Sequence, residues 1–131
     1  MRLQNYGTVF ATIADKDKEE ALPLIRRFYN LGFNIEATAG TAAFLKKNGI
    51  RTHVLSKISE GSDEIQESIR QGHIAYVINT KDPGAAAESD GYQIRRVATD
   101  NNVTLFTALD TVRVLLDVLE ETTITISTID A

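Results

Sequence analysis

Along this chain, short β-rich runs alternate with longer amphipathic stretches. Thr8 to Ala14 is apolar at most positions and predicts a first strand. From Asp17 to Leu31 apolar residues return at helical spacing, which puts Leu22, Ile25, Phe28 and Tyr29 on an inner face, and Gly32 follows as a carboxyl-terminal cap. Pro23 falls inside that helix, where proline costs about 3 kcal/mol or forces a kink. Nothing in the sequence accounts for it, so the helix start stays open. Phe33 to Ala37 predicts a second strand, and Thr41 to Lys47 a short helix stopped at Asn48-Gly49.

Ile50 to Leu55 predicts a third strand, and Ser62 to Gln71 a helix ended by Gly72. Ile74 to Ile78 is an almost unbroken apolar run, the pattern of a strand buried on both faces of a parallel sheet. A helix is expected over Tyr92 to Asn101, a fifth strand over Val103 to Phe106, and a last helix over Ala108 to Leu119 with Val112, Leu115, Leu116 and Leu119 inward. The Thr- and Ile-rich tail, 122–129, suggests an added edge strand. Strands alternating with helices in this way form right-handed βαβ units. The predicted fold is a doubly wound α/β domain: a mainly parallel five-stranded sheet with helices on both faces.

The 131 residues suit one domain, 1–131, and the balance of 43% hydrophobic to 24% charged residues is that of a globular protein. The net charge of −4, with no basic tract, argues against a nucleic-acid partner. There is no cysteine, which excludes disulfides and thiolate chemistry. The two histidines, His53 and His73, are far apart in sequence and show no acidic partner there, so neither joins the expected site. No apolar run reaches the length of a membrane span, and no signal-peptide core follows Met1. A cytoplasmic location is expected.

In an open α/β sheet, ligands bind beyond the carboxyl ends of the strands. Four of the six lysines, Lys16, Lys18, Lys57 and Lys81, fall in the loops at that edge. Thr38-Ala39-Gly40-Thr41 leads straight into a helix, offering two hydroxyls and free backbone N–H groups to an anion. Together these features suit a phosphate monoester. Plainer readings stand beside this one: lysines favour surface loops, nearby Asp15, Asp17, Glu60 and Asp82 offset their charge, Thr41 could be a simple N-cap, and Asn79 a turn residue.

The same residues carry a family resemblance. Asp17-Lys18-Glu19, Ala37-Thr38-Ala39-Gly40-Thr41-Ala42, Lys57 with Glu60-Gly61, Ile78-Asn79-Thr80 and Ile94-Arg95-Arg96 stand in the order of the methylglyoxal-synthase-like domain family. The chain resembles most the carboxyl-terminal allosteric domain of the carbamoyl-phosphate synthetase large subunit. That resemblance runs from about Tyr6 to Ile129 and implies a regulatory domain binding UMP or IMP. It implies effector contacts at Lys18, Thr38, Thr41, Lys57, Asn79 and Thr80, and an ornithine contact at Thr107. Ala39 and Lys81 stand where the family often has histidine and threonine, which leaves the effector open.

The resemblance further implies an excised part of a larger subunit. Its partners are then the rest of that subunit and a glutaminase small subunit. The domain itself takes no cofactor, and the parent enzyme uses ATP with Mg2+ or Mn2+. The alternative is a methylglyoxal synthase acting on dihydroxyacetone phosphate. That reaction needs a carboxylate base in reach of the substrate. Where the enzyme branch has Gly-Gly-Asp-Gln-Gln, this chain has Glu60-Gly61-Ser62-Asp63-Glu64, with the aspartate displaced by one position. Asp82-Pro83 echoes a second aspartate of that branch. The related cyclohydrolase domain needs Lys and Arg loops for which the chain has no room, and a ligand-free interaction module is the remaining reading.

Overall fold

The computed structural model describes residues 4–56, 63–80 and 90–130. Five parallel strands, β1 (Thr8–Thr12), β2 (Asn34–Thr38), β3 (His53–Leu55), β4 (Ile74–Asn79) and β5 (Thr104–Phe106), form one sheet in the order β3-β2-β1-β4-β5. The helices are α1 (Lys18–Asn30), α2 (Ala39–Lys47), α3 (Glu64–Arg70), α4 (Asp90–Asp100) and α5 (Leu109–Asp130). The doubly wound fold expected from the sequence is the fold observed.

Two apolar layers flank the sheet. Val9, Ala11, Ile35, Ala37, Tyr76 and Ile78 pack with α1, α2 and α5, whereas Phe10, Leu55, Ile74 and Val77 pack with α3 and α4. The split follows from handedness. Right-handed crossovers stepping from β1 towards β3 put their helices on one face, and those stepping towards β5 put theirs on the other. The strand order therefore reverses between β1 and β4, and the loops after these two strands diverge there.

α1 buries Ala21, Leu24, Ile25 and Phe28. This i, i+3, i+4, i+7 stripe corrects the expected face, since Leu22 is only half-buried and Tyr29 is exposed. Pro23 lies on the exposed side, where water can satisfy the carbonyl that lacks an N–H partner. The helix closes in a Schellman turn: Gly32, at φ 100°, donates its N–H to Tyr29, and Phe33 donates to Phe28. That turn brings the Phe28 and Phe33 rings edge to face at 5.3 Å, beside Tyr76. Burying each such ring contributes about 1.5–3 kcal/mol. The Tyr76 hydroxyl donates to the Gln4 carbonyl and accepts the Gln4 N–H, at 2.7 and 2.9 Å. Burial raises its pKa.

The tail departs from expectation. Residues 122–129 continue α5 as helix and add no strand to the sheet. No glycine or proline interrupts the sequence from Leu109 to Asp130, so each residue added gains a helical hydrogen bond, which outweighs the modest β preference of Thr and Ile. No helix among the described residues is long and apolar enough to cross a membrane.

Candidate functional site at the carboxyl edge of the sheet

β1 runs out into a 3-10 turn, Asp15–Asp17, from which α1 starts at Lys18. β2 passes directly into α2. The amino-terminal ends of two helices thus face the same sheet edge. In neither does the N-cap side chain, that of Asp17 or Thr38, bond to the first turn. Ala39 and Gly40 are exposed, so the first N–H groups of α2 are open to an anion that the helix dipole also favours. Lys18 lies over them. Its ammonium would sit 3.7 Å from a Cβ placed on Gly40, and it pairs with the exposed Asp15 carboxylate.

Threonines tie the edge together. The Thr41 hydroxyl, fully buried, accepts the N–H of Ile13 at 3.0 Å, and the Thr80 hydroxyl accepts the N–H of Ala14 at 3.0 Å. Each keeps its own proton to donate. Thr38 donates to Thr12 across the strands at 3.3 Å, and the Thr80 N–H bonds the Thr12 carbonyl at 3.2 Å. Thr41 is therefore a cross-loop brace. The N-cap of α2 is Thr38, three residues earlier than the sequence suggested.

Of the expected site residues, the edge brings together Lys18, Thr38, Thr41, Asn79 and Thr80, with Asn79 buried at the last position of β4. Thr107 is exposed just beyond β5. Lys57, Lys81 and Asp82 lie outside the described residues. Asp63 is exposed at the head of α3. Among the described residues, no group of three His, Asp or Glu could hold a metal ion.

Sequence reasoning missed Thr12, which has no distinguishing neighbour in the chain. It also missed the environment of His73. The Nε2 of His73 lies 3.4 Å from a Glu36 carboxylate oxygen, and His53 is the register partner of Glu36 on β3. Both histidines therefore have an acidic neighbour across the sheet. They sit in its amino half, away from the phosphate-type cradle. The signal lay in Glu36 itself, a charged residue between the buried apolar Ile35 and Ala37 of a parallel strand.

Residues 20–107 match the MGS-like domain. The chain belongs to the MGS-like domain family. Among solved structures, it resembles methylglyoxal synthase from Elizabethkingia anophelis NUHP1, with a TM-score of 0.70 at 22% identity over 87% of this chain and 79% of that one. At that identity the likeness establishes the fold. In this MGS-like domain, the cradle at α2 and the Lys18 ammonium lie at the edge where an open α/β sheet takes its ligands.

Proposed function

We propose that this domain binds a small phosphate monoester at the carboxyl edge of its sheet. One observation carries the reading: the Lys18 ammonium sits over the exposed, side-chain-uncapped start of α2 at Gly40. Positive charge and several unused N–H donors converge there, and a phosphate dianion can accept from all of them. Thr41 and Thr80 each accept a backbone N–H and keep a hydroxyl proton to donate.

Two finer readings share this cradle. The structural likeness to a methylglyoxal synthase supports the enzymatic one, with dihydroxyacetone phosphate as substrate. The residues at the head of α3 support the regulatory one. The described carboxylates there, Asp63, Glu64 and Glu67, are all exposed, in a sequence unlike the Gly-Gly-Asp-Gln-Gln of the enzyme branch. In the regulatory reading, UMP or IMP occupies the cradle, and the domain acts on a carbamoyl-phosphate synthetase large subunit and its glutaminase partner. Thr107 then contributes to ornithine binding at a domain boundary.

Two assays on the same preparation separate these readings. Saturating UMP, IMP or dihydroxyacetone phosphate should raise the melting temperature, because binding to the native state alone adds to its stability. Methylglyoxal formed from dihydroxyacetone phosphate, and lost in Asp63→Asn, selects the synthase. A thermal shift with UMP or IMP and no turnover selects the regulatory domain. No shift with any of the three refutes phosphate binding at this edge.

A further inference from the structure

The amino half of the sheet holds a second cleft, of about 560 Å³, among Asn34, Glu36, Arg51, Thr52, His53 and His73. Glu36 points to the face that its register partner Phe10 shares with α3 and α4. Its side chain is only 14% exposed. One carboxylate oxygen lies 3.4 Å from His73, a loose contact, while the other is buried with no hydrogen-bond partner among the described residues. A buried acceptor left without a donor is costly and uncommon in folded proteins. Arg51 lines the same cleft, is exposed, and makes no ion pair with any described residue. Two opposite charges share one cleft without meeting each other.

We propose that this cleft is a separate site for a small zwitterion. An ammonium or guanidinium nitrogen of the ligand donates to the unpartnered oxygen of Glu36, and a carboxylate at its other end meets Arg51. His73 lies loosely against the second Glu36 oxygen, so one oxygen is left without a donor among the described residues. A bare cation leaves Arg51 unanswered, and a bare anion meets the Glu36 charge, so neither fits alone. The site is independent of the phosphate cradle, which lies at the opposite ends of β1 and β2.

The test is an NMR and calorimetric titration of the whole chain with 3-aminopropanoate, 4-aminobutyrate and 6-aminohexanoate, beside butylamine and butyrate. At least one of the three zwitterions should bind saturably and shift the amides of Glu36, Arg51, His53 and His73. Butylamine and butyrate should bind about tenfold more weakly or less, and saturating orthophosphate should not compete. Glu36→Gln and Arg51→Ala should each weaken the zwitterion about tenfold, as losing one hydrogen bond to a charged group does. If Glu36→Gln does not fold, the exposed Arg51→Ala decides alone. Absence of saturable binding by all three, equal binding of butylamine, or full affinity in Arg51→Ala overturns the proposal.

Discussion

The two ends of the sheet handle their polar groups in opposite ways. At the carboxyl edge, Thr12, Thr38, Thr41 and Thr80 are bonded to one another or to the backbone, and the open donors belong to a helix start. At the amino half, Glu36 has one loose contact and one buried oxygen without a donor. The first arrangement is rigid before any ligand arrives. Its ordering cost falls on folding rather than on binding, which favours tight recognition of a compact anion. The second stores an unmet acceptor that the fold tolerates, and it lowers stability until something donates to it.

Substitutions at the two ends should therefore separate cleanly. The largest expected effect is on ligand binding by Lys18→Ala. Orthophosphate and phosphate monoesters should bind about 1.5–3 kcal/mol more weakly, the range for a hydrogen bond to a charged group. Unfolding free energy should also fall, by about 0.5–3 kcal/mol, because the largely buried Lys18 stem loses its packing along with the pair to Asp15. Calorimetry and urea denaturation of both proteins check this. Equal phosphate affinity in the variant places the anion elsewhere.

Thr41→Val comes next, and acts on folding. It keeps the shape but leaves the buried Ile13 N–H without its acceptor, at a cost of about 1–3 kcal/mol. Denaturant midpoints that match the parent protein would show that the edge is not braced in this way. Glu36→Leu should move stability in the other direction, by about 1 kcal/mol, by removing an acceptor that has no donor. A destabilised Glu36→Leu protein would mean that the carboxylate is better satisfied than its geometry indicates.

The smallest effect concerns α1, which connects the two ends. Arg27 near its carboxyl end grips Glu120 of α5 through two bonds, at 3.0 and 2.6 Å, and also Asp117 at 2.7 Å. The Arg27 hydrogen bonds hold the Glu120 carboxyl below its usual pKa. A depressed folded-state pKa adds stability above the ordinary carboxylate range, and that stability is lost as pH falls through the folded value. Glu120 is 38% exposed, so solvent screens the pair to no more than about 1 kcal/mol. Glu120→Gln should lose less stability than the parent between neutral pH and about pH 3, a window set by the ordinary glutamate pKa. Identical acid sensitivity in the two proteins would remove Glu120 from the account.

Much of this architecture is readable from hydrophobic period alone. The Ile74–Asn79 run and the helix-ending glycines fix strand and helix identity because a fully buried parallel strand and a Schellman turn each demand particular residues. Three of the carboxyl-edge threonines, Thr38, Thr41 and Thr80, could be nominated because the α/β fold itself specifies which loops meet. Their bonding could not. Thr41 joins Ile13 across 28 positions of sequence, and no local pattern records such a contact. The tail misled because the β preference of Thr and Ile is modest and depends on pairing. An uninterrupted helix gains a hydrogen bond with each residue added, so β5 keeps β4 as its one partner. The Glu36 cleft was hidden because it assembles from three strands and the turn before β4.

The most direct test of the phosphate cradle is a 1H–15N titration of the whole chain with orthophosphate. The account predicts saturable amide shifts confined to Ile13 through Lys18 and Thr38 through Ala42, with His53 and His73 unmoved. Shifts absent from the start of α2, or concentrated around Glu36, would contradict it.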